Sequence, residues 1–148
     1  MQTQGTLWIE PRALAGTAGS ELEIVIPYTV ARETREVLQR AASLTKGLNA
    51  RISLLAVHAI PYPATFGCPG STHAFLVERL LELSQECPLP VTAQVVLARS
   101  RDEGFQHALP PASTVLMGTR KHLWRTREER LARKLATAGH KVALIYLE

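Results

Sequence analysis

The strongest constraint on the fold of this chain is a regular alternation between short apolar runs and longer stretches of helical periodicity. Short runs rich in β-branched residues are typical of strands buried on both faces of a parallel sheet. The stretches between them can serve as the crossover helices that parallel strands require. The alternation predicts an α/β fold of three layers, with helices on both faces of an open sheet of five parallel strands. The predicted strands are Glu23–Tyr28, Arg51–Ile60, Val91–Ala98, Val115–Gly118 and Lys141–Leu147.

Helix-capping signals fall at the boundaries that this alternation requires. Thr29 is expected to cap the first helix, and Gly47 to end it in the left-handed conformation. The segments Ser100–Glu103 and Thr126–Glu129 both have the S/T-x-x-E pattern of a capping box. Gly139 is expected to end the last helix in the same way as Gly47.

The length and composition predict one domain with an N-terminal appendage. A chain of 148 residues, 46% of them hydrophobic, is large enough to bury an ordinary core. Near the N-terminus, Thr6–Ile9 has the pattern of a short strand. Docking of Trp8 and Ile9 on an exposed sheet edge or on a partner is one interpretation, and an ordered tail packed on its own domain is an equal alternative. Ala13–Ser20 has the composition of a connector. We expect residues 1–20 to be an appendage or linker and residues 21–148 to be the domain.

Membrane and secreted classes are disfavoured by the sequence. Apolar runs such as Val142–Leu147 are far shorter than the roughly 20 residues of a spanning helix. The first ten residues lack the cationic start and apolar core of a secretory signal. We therefore expect no membrane insertion and a cytoplasmic location. Cys68 and Cys87 are expected to be free thiols there, and a disulfide between them is the less favoured alternative.

Positive charge is concentrated in one window of the sequence. Seven of the seventeen Lys and Arg residues fall between Arg120 and Lys134, beside only Glu128 and Glu129. Such a cluster can attract phosphate, nucleic acid or anionic lipid. A solvated helix face with pairs such as Glu129–Arg133 is the favoured interpretation. Nucleic acid is not the expected partner, because Trp124 is the one aromatic residue in the window.

The turn after the fourth predicted strand has the position of a phosphate-binding turn in an open α/β sheet. It comprises Gly118, Thr119, Arg120 and Lys121. A glycine there lets backbone N–H groups approach a phosphate. The side chains of Arg120, Lys121 and Arg125 offer another way to hold an anion.

The histidines and the cysteine loop give weaker signals. His58 lies near the end of the second predicted strand; a structural role is favoured, and a place in the ligand-binding crevice at the carboxyl ends of the strands is the alternative. The five histidines have no recognised metal-ligand spacing, so no metal site is predicted. Cys68 and His73 share a loop without an orienting group, and we do not interpret them as a catalytic pair.

Similarity to a known family lies in five segments of the sequence, Ile24–Pro27, Leu44–Arg51, Ile52–His58, Thr114–Arg120 and Val142–Tyr146. Together these segments resemble the universal stress protein family. The likeness covers about residues 21–148 and implies an adenine-nucleotide alpha-hydrolase-like fold with strand order 3-2-1-4-5. It also implies a homodimer paired through the C-terminal strand, and it admits a membrane transporter as the unknown protein partner.

ATP-binding members of the family carry an Asp soon after the first strand. After the fourth strand they carry the signature G-x-x-G, nine intervening residues and G-[ST]. Here Pro27 is followed by Tyr28 and Thr29, so the Asp is missing. Gly118 matches the first glycine of the signature, but its remaining positions fall on Lys121, Leu131 and Ala132.

We therefore expect ATP or AMP binding to be lost, and we assign no catalytic residue. The favoured interpretation is a non-enzymatic stress-response or regulatory domain that acts through dimerisation and partner binding. The alternative is a nucleotide-binding sensor with slow ATPase activity, which would use a basic side-chain pocket. The candidate ligand-binding residues are Pro27, Tyr28, Thr29, His58, Gly118, Thr119, Arg120, Lys121 and Arg125.

Overall fold

A computed structural model of the protein describes residues 6–9, 22–60, 62 and 70–148. The strands are β1 (Thr6–Ile9), β2 (Leu22–Pro27), β3 (Ala50–Ala59), β4 (Val91–Ala98), β5 (Thr114–Arg120) and β6 (Lys141–Leu147). The helices are α1 (Ala31–Leu44), α2 (Gly70–Glu86), α3 (Arg101–Ala108) and α4 (Arg127–Thr137). The predicted alternation of strand and helix is confirmed over the described residues.

The strands form one sheet in the order β1-β4-β3-β2-β5-β6. Strands β4, β3, β2, β5 and β6 are parallel to their neighbours, so the predicted order 3-2-1-4-5 is confirmed. Strand β1 is a sixth strand that runs antiparallel along the outer edge of β4, with Thr6 opposite Val96. The short N-terminal strand therefore lies on the sheet edge of its own chain.

The sheet is buried on both faces because its central strands alternate apolar side chains between two helical layers. In β2, Ile24 and Ile26 pack with α1 and α2, whereas Val25 packs with α3 and α4. The first layer buries side chains that include Val37, Leu38, Ile52, Leu54, Leu80, Leu83 and Cys87. The second buries side chains that include Leu55, Phe105, Val115, Met117, Leu131 and Leu135.

The predicted capping box at Thr126 is found in full, and at Ser100 the hydroxyl half of the predicted box is found. The Thr126 hydroxyl accepts from the Glu129 backbone N–H at 3.1 Å, and the Glu129 carboxylate accepts from the Thr126 backbone N–H at 3.4 Å. The Ser100 hydroxyl accepts from the Glu103 backbone N–H at 3.3 Å. Gly47 and Gly139 have φ angles of 82° and 101°, which confirms the left-handed residues predicted after α1 and α4.

The prediction that Thr29 caps α1 is wrong. The residue at the cap position is Val30, whose side chain makes no capping hydrogen bond. Instead the backbone N–H of Thr29 donates to the hydroxyl of Thr34, at 3.2 Å. Helix α1 therefore starts later than the sequence predicted. The buried hydroxyl of Thr34, inside the helix, accepts the hydrogen bond from the segment that precedes the helix.

Two further predictions concern membrane insertion and the cysteines. No helix in the described part of the chain combines the length and the apolar character needed to cross a membrane. Cys87 is buried at the end of α2, whereas Cys68 lies outside the described residues.

Candidate functional site

The predicted ligand-binding residues lie along the carboxyl edge of the sheet. Pro27 ends β2, with Tyr28 and Thr29 directly after it, and residues 118–120 end the adjacent strand β5. The strand order reverses between β2 and β5, because β3 and β6 lie on opposite sides of this pair. Open α/β sheets bind ligands at such a switch point. The fold therefore brings together the two segments that the sequence indicated.

Gly118 is fixed by packing. A Cβ atom at this position would lie 2.5 Å from Cγ2 of Val37 and 2.9 Å from Cδ1 of Leu147. Because Val37 belongs to α1 and Leu147 ends β6, a larger residue would separate both elements from β5. The close approach that needs this glycine is between α1, β5 and β6, within the core.

Thr119 ties the end of β5 to the start of α4. Its side chain is buried, and its hydroxyl lies 2.9 Å from the hydroxyl of Thr126. This contact between the two hydroxyls joins the two ends of the loop between β5 and α4.

Arg120 is held by acidic groups of its own chain. Its Nη2 donates to the Glu36 carboxylate at 3.1 Å, and its Nε lies 3.7 Å from Oε1 of Glu33. Its Nη1 donates to the backbone carbonyl of Glu148. The guanidinium that the sequence offered for an incoming anion is therefore engaged by two carboxylates of α1 and by the end of the chain.

The charges beside Arg120 favour protonation of Glu33 and oppose the binding of a phosphate. Burial and the negative charge of Glu128 raise the pKa of Glu33, and Glu36 adds to this, while Arg120 and His122 act in the opposite direction. Oε2 of Glu33 is buried and has no hydrogen-bond partner within the described chain. Two carboxylates thus contact the Arg120 guanidinium, and the charge of Glu128 acts on Glu33 beside the start of α4, where a helix would otherwise favour an anion.

Lys121 and Arg125 lie on an exposed loop beyond this cluster. Between them, Leu123 is 99% exposed and Trp124 is 84% exposed. Neither cation lies within 4.0 Å of a carboxylate in the part of the chain that the structure describes. The loop therefore presents two apolar side chains between positive charges, on the outside of the molecule.

The basic helix α4 forms one wall of a groove against α3. The groove encloses about 380 Å³ and is lined by Ser100, Arg101, Asp102, Arg127, Arg130 and Lys134. Lys134 donates to Asp102 at 2.9 Å, and Arg101 lies 3.4 Å from the same carboxylate. Burial opposes ionisation of Asp102, but the hydrogen bond and charge of Lys134, with Arg101, lower its pKa below the usual value. The expected pairing of Glu129 with Arg133 is replaced by the bond from Glu129 to its capping partner.

His58 is paired with a histidine that sequence spacing did not connect to it. The two Nδ1 atoms of His58 and His73 lie 3.4 Å apart, and the ring planes are inclined by 41°. Burial lowers the pKa of His58, and the charge of a protonated His73 lowers it further. Among the described residues, no group of three or more His, Cys, Asp or Glu side chains could hold a metal ion.

The arrangement of strands and helices that carries this site is also found in a solved structure. A universal stress protein from Archaeoglobus fulgidus matches 84% of this chain and 93% of its own, with a TM-score of 0.57 and 12% sequence identity. The fold is that of a universal stress protein. The resemblance predicted from the residues is thereby confirmed as a likeness of fold. No protein-family model matches the sequence, and the search of curated proteins finds no match.

Two positions of the ATP-binding signature fall within the universal stress protein fold at buried sites. The fixed spacing placed its last two positions at Leu131 and Ala132, but both residues are buried inside α4. The helix begins earlier, with Thr126 at its cap, because only a short loop separates it from β5. The hydroxyl of Thr126 caps α4. The capping pattern Thr126–Glu129 was the sequence signal that marked it.

Two side-chain associations at the carboxyl edge of the sheet were not predicted from the sequence. Glu33 and Glu36 lie in α1, far along the chain from Arg120, and look from sequence like ordinary charges on a helix surface. His73 lies in the first turns of α2, while His58 lies near the end of β3. Both associations depend on how helices dock over the sheet, and no local spacing encodes that docking.

Proposed function

We propose that this chain is a non-enzymatic stress-response or regulatory domain of the universal stress protein fold that acts through dimerisation and partner binding, without ATP. The observation that carries the proposal is the neutralisation of Arg120 by Glu33 and Glu36 at the switch point of the sheet. A phosphate there would have to displace these carboxylates from the guanidinium and would face Glu128 as well. The proposal places the protein in the cytoplasm.

The open edge of β6 supports dimerisation. Within the described sheet β6 pairs with β5 alone, so its outer edge carries unpaired backbone N–H and C=O groups. Its side chains Ala143 and Tyr146 are exposed. An unprotected edge of this kind is a template for strand pairing. Pairing of two β6 strands across a twofold axis would continue the sheet from one copy into the next.

The exposed loop supports a protein partner. Trp and Arg are the residues most enriched at the energetic centres of interfaces. Here Leu123 and Trp124 project between Lys121 and Arg125, next to the exposed face of α4. The surface fits a partner with an apolar pocket rimmed by acidic groups. A membrane transporter is one partner with which such a domain would work.

A nucleotide-binding sensor is the second candidate, favoured by one observation. Lys121 and Arg125 are exposed cations beside the start of α4, with no carboxylate within 4.0 Å among the described residues. A triphosphate bound on the outside of the loop would contact these two side chains and leave the buried cluster intact. Such a site would rest on side chains and not on a glycine cradle.

Calorimetric titration of the purified protein with ATP, ADP and AMP, at low and moderate salt, tests the proposal. We expect no saturable heat with any of the three nucleotides. Saturable binding at one nucleotide per chain would overturn the loss of nucleotide binding. If Lys121→Ala then weakened that binding while His107→Ala, on the exposed part of α3, did not, the sensor would replace the proposed function.

A further inference from the structure

We propose that His58 and His73 form a binding site for a zinc ion at the carboxyl edge of the sheet. The proposal concerns a site separate from the Arg120 cluster, and it depends on neither the dimer nor the nucleotide.

The separation of the two Nδ1 atoms fits one tetrahedral ion. They lie 3.4 Å apart. Two nitrogens bound to the same zinc at about 2.0–2.1 Å, with a tetrahedral angle between them, are about 3.3 Å apart. The same bond lengths in a square-planar ion would bring them to about 2.9 Å. The pair therefore matches a tetrahedral ion such as Zn²⁺ better than a square-planar one.

Both histidines stand on regular structure. His58 belongs to β3 and lies opposite Leu97 in the ladder with β4, beyond Leu55 where the pairing with β2 ends. His73 belongs to the first turns of α2, whose Leu80 and Leu83 are fully buried in the core. A ligand pair fixed by a strand and a packed helix loses little freedom when a metal binds.

The donor chemistry of the pair also fits a metal. Two neutral imidazoles share one hydrogen bond when their Nδ1 atoms face each other, since one must donate and the other accept. A zinc ion placed between them accepts a lone pair from each Nδ1, and the proton of their shared hydrogen bond moves to Nε2 of the histidine that donated it, so no net proton is released. Both side chains are half-buried, so solvent reaches the pair and can supply the remaining ligands. Imidazole is a preferred ligand of zinc, and open positions filled by water are typical of sites with few protein ligands.

The test is a titration of untagged protein with ZnCl₂ at pH 7.5, followed by calorimetry. We expect one zinc ion per chain. His58→Ala and His73→Ala should each weaken binding by at least about tenfold. His107→Ala and His122→Ala, which alter exposed histidines elsewhere, should bind as the unaltered protein does. Saturable binding that survives both His58→Ala and His73→Ala, or no saturable binding, overturns the proposal.

A second measurement keeps the result independent of folding defects. In two-dimensional NMR spectra that report histidine ring nitrogens, zinc should shift the resonances of His58 and His73 and leave those of His107, His122 and His140 in place. Shifts confined to the latter three would overturn the proposal. So would a stoichiometry of one ion per two chains, because the two ligands would then belong to different molecules.

Discussion

A Cβ atom on residue 118 would lie 2.5 Å from Cγ2 of Val37, well inside the contact distance of two carbons. Val37 is β-branched and 1% exposed, so it has little room to move. Gly118→Ala should therefore lower the free energy of unfolding by about 1–3 kcal/mol through overpacking. Urea unfolding followed by circular dichroism measures the loss.

The double variant Gly118→Ala/Val37→Ala is the matched control. Removing the two Val37 methyl groups costs stability by itself, but it also makes space for the new methyl group at residue 118. The two losses should therefore be less than additive. Additive losses would show that the cost at residue 118 does not come from the contact with Val37.

Glu33 is a residue whose charge the fold disfavours. Its pKa is raised in the folded state, first by burial and then by Glu128. The stability that its protonated form gives is complete below the unfolded pKa of about 4.3 and is lost as the pH rises through the folded pKa. Glu33→Gln should therefore raise the free energy of unfolding at pH 7.5, by about 0.5 kcal/mol, and leave it nearly unchanged at pH 4.

Urea unfolding at the two pH values measures this difference. Glu78→Gln, on the exposed side of α2, is the control and should have little effect at either pH. A loss of stability in Glu33→Gln at pH 7.5 would contradict the prediction. It would mean that the attraction between Glu33 and Arg120 outweighs the burial of the carboxylate.

At the scale of single residues, the sequence predicted which side chains reach the carboxyl edge but not their partners. Gly118 and Arg120 were expected in a turn after the fourth strand, whereas both belong to the last residues of β5, which still end at the carboxyl edge. The role of Gly118 depends on Val37, and the state of Arg120 depends on Glu33 and Glu36 in α1. Such pairings depend on where a helix docks over the sheet. Apolar periodicity predicts which face of the helix is buried, but it does not predict that position.

At the scale of helices and strands, the elements with a clear period were predicted well. Strands β3 and β4 are apolar over nearly their whole length, and α4 has both a capping box and an apolar stripe. The start of α1 was misplaced because Thr29 has the composition of a cap, whereas in the structure the backbone N–H of Thr29 donates to the hydroxyl of Thr34. Strand β1 was recognised by pattern, but its antiparallel pairing with β4 has no local signature.

The start of α4 gives a prediction about one element. The Thr126 hydroxyl caps the helix and also contacts the hydroxyl of Thr119. Thr126→Ala removes both interactions and should cost about 1–2 kcal/mol of stability. Thr126→Ser keeps the hydroxyl and should retain most of that free energy. Thermal and urea unfolding compare the two variants, and an equal loss in both would rule out the capping hydroxyl as the cause.

At the scale of the molecule, three layers followed from the alternation of elements, whereas the strand order followed from the family resemblance. Apolar runs predict that strands are buried but not which strands are neighbours. The order matters for function, because it creates the switch point between β2 and β5 and leaves β6 at an edge. The extra strand β1 covers the opposite edge at β4, so the two edges of the described sheet differ.

This asymmetry predicts how two copies would associate. The β4 edge is occupied by β1, whereas β6 offers free backbone groups together with the exposed side chain of Tyr146. If the dimer forms through β6, Tyr146→Lys places like charges near each other across the twofold axis and should weaken association by at least about tenfold. Sedimentation velocity over a range of protein concentrations measures this shift towards monomer.

Leu48→Lys is the matched control, since Leu48 is also exposed and lies in the turn after α1. This variant should sediment as the unaltered protein does. A dimer that persists in Tyr146→Lys but dissociates in Leu48→Lys would move the interface away from β6. A protein that is monomeric without any substitution would remove dimerisation from the proposed function and leave the exposed loop around Trp124 as its remaining interaction surface, because that surface needs only one copy of the chain.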